Sequence, residues 1–529
     1  VRIAVDLAVA GSGFAGSLAA LVARRLGLTV ALIERGAHPR FAIGESTSPL
    51  ANLLLEEIAT RWDLPRLLPL CRWGSWRRAY PGVACGLKRG FSFYRHEHGL
   101  PFSADPLRRD QLLVGASPND EVADTHWYRP DFDHFLVREA EAAGVEFLDT
   151  TAIERVEGDA DGIAITGSRR GAGVFVRARL LVDATGPRGL AARVFAIPED
   201  RFEALPETAG LYTHFAGVRR LEEALPAIAP EPPPYPPDDA ALHHVFDGGW
   251  IWVLRFGNGV TSAGVAAEAS LADELDLPEG GPAWDRLLER LPTVREQFEG
   301  SRALLPWTHR PRLAFRAKRA SGPGWTMLPS AAAFVDPLLS TGFPLTLLGV
   351  ERLGRALEED WGSPRLAPRL AADAEKSLFE TDAAALLVAA LYASFADFPL
   401  FSELSKLYFA AASFSEAARR LGRSERASTF LCADDERYGR ELAACCRAAL
   451  RLPRGGRPAD RQALFERIRA AITPLDVAGL TRTDRRGWYP FRSDDLVESA
   501  EKLGATAEEA RELLDRSGLS AGSRSAPVT

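Results

Sequence analysis

The sequence predicts an α/β fold: a parallel-sheet domain first, an antiparallel β domain inserted into it, and a helical C-terminal region. Three observations carry this. A strand, a glycine-rich loop, a helix and a second strand follow one another at the N-terminus. Residues 205–320 alternate apolar and polar positions in short runs, and from about 365 onward the apolar residues recur with helical period. A length of 529 residues admits more than one folding unit. With 46% hydrophobic and 26% charged residues the chain is globular, which excludes a disordered or collagen-like protein. The net charge of −7 offers no basic field, so no nucleic-acid partner is expected.

The elements follow in order. AVDLAVA at residues 4–10 reads as a buried strand, LAALVARRLG as a helix closed by Gly27, and TVALIE as a second strand ending at Glu34 and followed by Arg35. Between them Gly11, Gly13 and Gly16 hold the spacing G-x-G-x-x-G around Phe14 and Ala15. The first glycine makes the tight turn, the second lets backbone approach a pyrophosphate, and the third lets helix and strand pack closely. The helix N-terminus then offers free N–H groups and a positive dipole end. An acid about 20 residues on suits a ribose hydroxyl, and Glu34 fills that place. The unit is a Rossmann-like dinucleotide site.

FDHFLVREAEAAG and VEFLDT read as a helix and a strand. Residues 151–186 read as a hairpin whose last strand, LLVDATG, returns to the first sheet. LYTHFAGV, ALHHVFD, WIWVLRF and VTSAGVA are the strands of the inserted domain, with a Pro-rich surface loop from Pro226 to Pro237. GWTML, a Gly-punctuated turn and a long helix then complete the first domain. The expected division is 1–205 with 320–360, then 206–319, then a helical 361–517 and a disordered tail at 518–529.

Five cysteines (Cys71, Cys85, Cys432, Cys445, Cys446) without a CxxC pair, and no signal-peptide pattern, suit a reducing, cytoplasmic setting. No apolar run reaches the ~20 residues of a membrane helix, so no transmembrane segment is expected. No His, Cys and carboxylate cluster has metal-ligand spacing, and no metal is expected. Ser46 and Ser340 lack a nucleophile-elbow context. On the alternating strand that carries His243 and His244, one of the two points inward. Only Lys88, Lys318, Lys376, Lys406 and Lys502 are lysine among 64 basic residues, so each lysine stands out against a background of arginine.

Further motifs narrow the dinucleotide to FAD by resemblance. Asp183 to Gly186, DATG, resembles the second nucleotide-binding segment of FAD-dependent hydroxylases, and YRPDFDHFL resembles that class's helix start, which points to Arg129 as an FAD contact. Over about residues 1–360 the chain resembles the flavin-dependent halogenases, near geranylgeranyl reductases and aromatic hydroxylases. GSGFAG resembles the dinucleotide loop. GESTSP, Gly44 to Pro49, resembles the mobile flavin strap. Phe334, Pro337, Ser340 and Gly342 match the spaced Phe-Pro-Ser-Gly signature. Trp250-Ile-Trp252-Val-Leu254 resembles the paired-tryptophan strand. KRGFSF places Lys88 in the context of the active lysine.

The resemblance implies a bound FAD held also by Glu45, Ser46, Thr47, Asp336 and Gly342, and reduced by a separate flavin reductase. It implies a chloride or bromide at Ser340, Thr341 and Gly342, where backbone N–H groups suit an anion. It implies hypohalous acid that travels to Lys88 beside the substrate, in a cavity reached by His214, Trp250 and Trp252. Lysine suits the task because burial depresses its pKa, whereas arginine stays charged. Tryptophan-directed members carry Glu where this chain has Leu339, so the expected substrate is a phenolic or other electron-rich ring, small or carrier-bound, and not free tryptophan. Two positions depart from the pattern: Arg255 stands after Leu254 where Pro is usual, and Pro329-Ser330 stands where Gly-Asp is usual. They keep open an FAD-dependent monooxygenase or reductase of an apolar or aromatic substrate, and a non-catalytic flavoprotein partner.

Overall fold

The computed structural model describes residues 1–159, 162–225, 232–453 and 456–520. Part of the Pro-rich loop (226–231) and most of the expected tail (521–529) lie outside the described residues.

The first sheet is built around strand Arg2–Ala10, whose last four residues are buried. Parallel neighbours flank it: Val30–Ile33 on one side, with Leu7 opposite Val30, and Ala172–Asp183 on the other, with Leu7 opposite Leu180. Glu146–Leu148 and Trp325–Met327 extend the parallel order outward. A strand covered on both faces reads as an unbroken apolar run, as LAVA at residues 7–10 and VALI at 30–33 do. The hairpin Thr151–Asp159 and Gly162–Arg169 leaves this sheet antiparallel, as its alternation predicts.

The second sheet has nine strands, in the order Arg302–Ala303, Thr208–Ala216, Val260–Glu268, Gly249–Arg255, Ala241–Phe246, Gly90–Arg95, Gln111–Gly115 and Trp488–Tyr489, with Thr308–Arg310 alongside Thr208–Ala216. It is wider than the 206–319 segment. Gly90–Arg95 joins it parallel to Ala241–Phe246, with Phe93 opposite His243, and Trp488–Tyr489 joins from the C-terminal region. Parallel partners are remote in sequence and leave no turn signal between them, so local pattern does not reveal this pairing.

Both faces of this sheet are buried. Ile251, Val253, Val265 and Leu242 pack under helices of the insertion that include Trp284, Leu287 and Phe298. Phe91, Phe93, Trp250 and Trp252 on the opposite face join the main core with Phe401, Tyr408 and Phe409 of helix Phe398–Arg420. The helical region is therefore a cover laid over the sheet. The apolar run between Asp382 and Asp397 forms the buried end of helix Leu366–Ala393 and the turn after it, and no helix among the described residues is long and apolar enough to cross a membrane. All five cysteines are free and buried, and burial raises their thiols.

Candidate active site

Two helix N-termini meet at the centre. Helix Phe14–Arg25 starts after Gly13 and helix Gly342–Asp360 after Thr341, and neither has a side-chain cap. Their first phenylalanines, Phe14 and Phe343, stack at 4.9 Å. Two sets of free backbone N–H groups thus open toward one region, which favours anionic groups.

The glycine loop is built to size. A Cβ on Gly16 would stand 1.9 Å from the Gly11 carbonyl oxygen, and Gly11 itself has φ +94. Ala15 is buried in the first turn behind it. Glu34 accepts from the N–H of Ser12 at 3.0 Å, the Ser12 hydroxyl at 3.0 Å and the N–H of Gly36 at 2.9 Å, and pairs with Arg40 at 3.1 Å. Burial alone would raise its carboxyl, but Arg40 and these N–H groups outweigh it and hold it below the usual range. Arg35 is exposed. Arg40, which sequence reasoning missed, is the basic residue that reaches this acid.

Arg129 opens helix Arg129–Ala142 and is buried. Its fork grips Asp133 through two 2.7 Å bonds, and its remaining nitrogen donates to the carbonyls of Ile43 and Gly44. It thereby anchors the strap beside Gly13, where an added Cβ would come within 3.4 Å of its guanidinium. The DATG segment behaves differently from expectation. Asp183 is fully buried, and its carboxylate is taken by the N–H groups of Thr185 and Ala191 and by the Thr185 hydroxyl. It shapes the loop from inside, while Gly186, at φ +79, has open space in front of it.

The strap threads between these parts and the lysine. Glu45 is buried; one oxygen meets His214 Nε2 at 2.8 Å and the other, Oε2, has no hydrogen-bond partner among the described residues. Exposed Phe41 lies over His214 at 4.9 Å. Thr47 donates from its hydroxyl to the Thr125 carbonyl at 2.6 Å. Ser46 accepts from Lys88 Nζ at 2.9 Å and from the Ser340 hydroxyl at 3.1 Å. A chain of hydrogen bonds therefore runs from the lysine through the strap to the 334–342 turn.

Lys88 is completely buried. It ends strand Cys85–Lys88, opposite Asp124 of strand Asp124–Trp127. Its Nζ also donates to the Thr47 carbonyl and lies 3.8 Å from the Phe91 ring centroid. Burial drives the amine down to about 7 against the pull of Asp124. Burial, with Glu416 nearby, pushes Asp124 up to about 7 against Lys88 and a 2.9 Å bond from Asn52. Asp124 and Asn52 carry no local sequence signal; the antiparallel register alone brings Asp124 to Lys88. Phe93, His243 and Trp250 continue a buried aromatic cluster from Phe91, with His243 stacked on Phe93 at 4.3 Å and 5.2 Å from Trp250. Burial, aided by Lys88, lowers His243 to about 3, so it is neutral. His244 faces the other side of the sheet, on Gln297 and His96.

The turn carries two consecutive left-handed residues, Leu339 at φ 63 and Ser340 at φ 55. Such conformations cost about 1–3 kcal/mol each for side chains of this kind and persist where surroundings impose them. Asp336 imposes the turn: it accepts the Leu338 N–H at 3.0 Å, the Tyr392 hydroxyl at 2.9 Å and the Trp250 indole N–H at 3.2 Å. A Cβ on Gly342 would meet nothing within 4 Å, so the space before the helix is open. Trp250 and Trp252 are buried; Trp252 donates to Ser262 within its own sheet at 3.4 Å. Both unusual positions have local reasons. Arg255 pairs with buried Asp238 at 2.6 Å, and Pro329 packs where a Cβ on Gly349 would clash.

The residues present fit FAD. The glycine cradle excludes side chains, the two uncapped helix starts offer N–H groups, and a buried carboxylate oxygen at Glu45 waits for a donor. Fold and site together define an FAD-dependent oxidoreductase. Residues 125–387 match the family model described as tryptophan halogenase. The chain is 27% identical over 500 residues, 89% of itself and 85% of the relative, to a monodechloroaminopyrrolnitrin halogenase of Pseudomonas fluorescens. It is 28% identical over 420 residues to a tetracycline 7-halogenase of Kitasatospora aureofaciens, covering 77% and 73% of the two chains. Its fold matches the crystal structure of halogenase PltM in complex with phloroglucinol and FAD, with a TM-score of 0.80 at 25% identity over 91% of this chain and 99% of that one. In all of these comparisons the chain is similar to flavin-dependent halogenases.

Proposed function

We propose that this protein halogenates a phenolic or other electron-rich aromatic ring, with Lys88 delivering the halogen. The observation that carries the reading is a lysine with no solvent exposure, bonded through Ser46 to Ser340 of the turn. Bound FAD, reduced by a separate flavin reductase, supplies with O₂ the oxidising equivalent that converts halide to hypohalous acid. Glu34, Arg40 and Arg129 would hold its nucleotide half, and Glu45, Ser46 and Thr47 would close the strap over it. Ser340, Thr341 and Gly342 would seat chloride or bromide against backbone N–H groups at the start of helix Gly342–Asp360.

A neutral amine has two hydrogens and one lone pair. In Lys88 the hydrogens are occupied by Ser46 and the Thr47 carbonyl, which leaves the lone pair for the electrophile. The amine takes halogen from hypohalous acid, forming N–X and releasing water. The ring then takes the halogen, loses a proton, and returns the amine. Buried Leu339 stands where a carboxylate would stabilise an indole cation, so a ring that activates itself, such as a phenolate, is the fitting substrate. Phe91, Phe93 and neutral His243 supply an apolar wall for it.

The test is incubation with FADH₂, O₂, bromide and a reactive phenol. Brominated product is expected, and Lys88→Ala is expected to abolish it, a loss on the order of 10²–10⁴-fold, while flavin oxidation continues. Flavin oxidation without any brominated product from the unaltered protein would overturn the reading. A hydroxylated product independent of halide would favour a monooxygenase, the reading that Arg255 in the paired-tryptophan strand keeps open.

A further inference from the structure

The first tryptophan of the paired strand is shut off from solvent, and its one polar atom is engaged by protein groups. Trp250 is buried, and its indole N–H lies 3.2 Å from Asp336 Oδ1 and 3.2 Å from the Tyr392 hydroxyl. Tyr392 comes from the buried end of helix Leu366–Ala393 and itself donates to Asp336 Oδ2 at 2.9 Å. Three separate parts of the fold converge on one carboxylate: the second sheet, the helical cover and the turn. That carboxylate also accepts the Leu338 N–H, two residues on, which is the hydrogen bond of an Asx turn. Immediately after it come the left-handed pair Leu339 and Ser340, and then the helix start at Gly342.

We propose that Trp250 and Tyr392 act through Asp336 as positioning residues that hold the 338–342 turn in its halide-binding geometry. The proposal rests on the reading that this turn seats the halide. It gives Trp250 a task distinct from that of Trp252, whose indole N–H is spent on Ser262 in the neighbouring strand. It also moves Asp336 from an expected cofactor contact to the clamp behind the turn, since both its oxygens are occupied by protein donors. This carboxylate is buried and its donors share it, so removal of one donor disturbs the geometry of the others. The strained residues then relax, and the N–H groups that face the anion lose their common aim.

Trp250→Phe and Tyr392→Phe each remove one hydrogen-bond donor while keeping an aromatic ring; Trp252→Phe is the matched control. Each full-length protein is loaded with FAD, and bromide binding to the oxidised form is measured by titration calorimetry, alongside FAD content and thermal midpoint. Bromide binding weaker by about threefold to tenfold is expected for the first two variants, with FAD content retained and Trp252→Phe unchanged. In turnover the same variants are expected to need more bromide for half-saturation while flavin oxidation holds its rate. Parallel loss of FAD, thermal midpoint and bromide affinity would assign the network to general packing and overturn the proposal. Equal bromide affinity in the unaltered protein and both variants would overturn it alone. No bromide binding by the unaltered protein would overturn the halide reading of the turn and this inference with it.

Discussion

Asp124 and Asp336 are both buried carboxylates, and burial pushes both up to about 7, yet they sit in different company. Asp124 faces an amine across a strand pair and is reinforced by Asn52. Asp336 faces an indole, a phenol and a backbone N–H, which stay un-ionised through the neutral range. The first carboxylate therefore acts through charge on a buried amine. The second faces no such amine and instead fixes the shape of a strained turn. The same residue type in the same depth of burial thus adjusts acidity in one place and geometry in the other.

Asp124→Asn breaks the comparison hardest. In the proposed mechanism Lys88 reacts as the neutral amine, so halogenation is expected above about 7 and its loss is expected as the pH falls through that value. The limb belongs to the coupled pair. With the carboxylate removed, its coulombic pull toward the protonated amine is gone, and the acid limb of product formation is expected to move down by about 1–3 pH units. The rate of flavin oxidation, followed by absorbance in the same assays, is expected to show no such displacement. A limb that stays in place would detach Asp124 from Lys88.

Asp336→Asn should do the reverse. Its pH limb is expected to coincide with that of the unaltered protein, while the bromide concentration for half-saturation rises about threefold to tenfold. Ser46→Ala touches both ends, since Ser46 accepts from Lys88 and from Ser340. Loss of one hydrogen-bond acceptor is expected to cost about threefold in product formed per flavin oxidised, measured by product yield against FADH₂ consumed.

The sequence made the first sheet legible because buried parallel strands and a glycine loop are local patterns, and the steric demand at Gly11 and Gly16 is met within a few residues. Lys88, Ser46 and Ser340 were each marked by motif, and they do meet. Their partners were not marked. Asp124 reaches Lys88 only through strand register, and Tyr392 reaches Asp336 only through the docking of a distant helix. Resemblance to the family's motifs points Trp250 and Asp183 toward ligand, yet protein groups engage their polar atoms, because a motif marks a position in the chain and not what distant segments bring against it. Arg40 lies in a segment without periodic pattern, so nothing local marks it.

The central claim is that halogen passes through the amine of Lys88. The direct measurement is to turn the reduced, FAD-loaded protein over with O₂ and bromide in the absence of any ring substrate, remove small molecules quickly, and titrate the oxidising equivalents left on the protein with a thiol. The account predicts a stoichiometric amount on the unaltered chain, discharged onto an added phenol as brominated product, and none on Lys88→Ala. Equal amounts on both proteins, or a charge that no phenol can discharge, would contradict it.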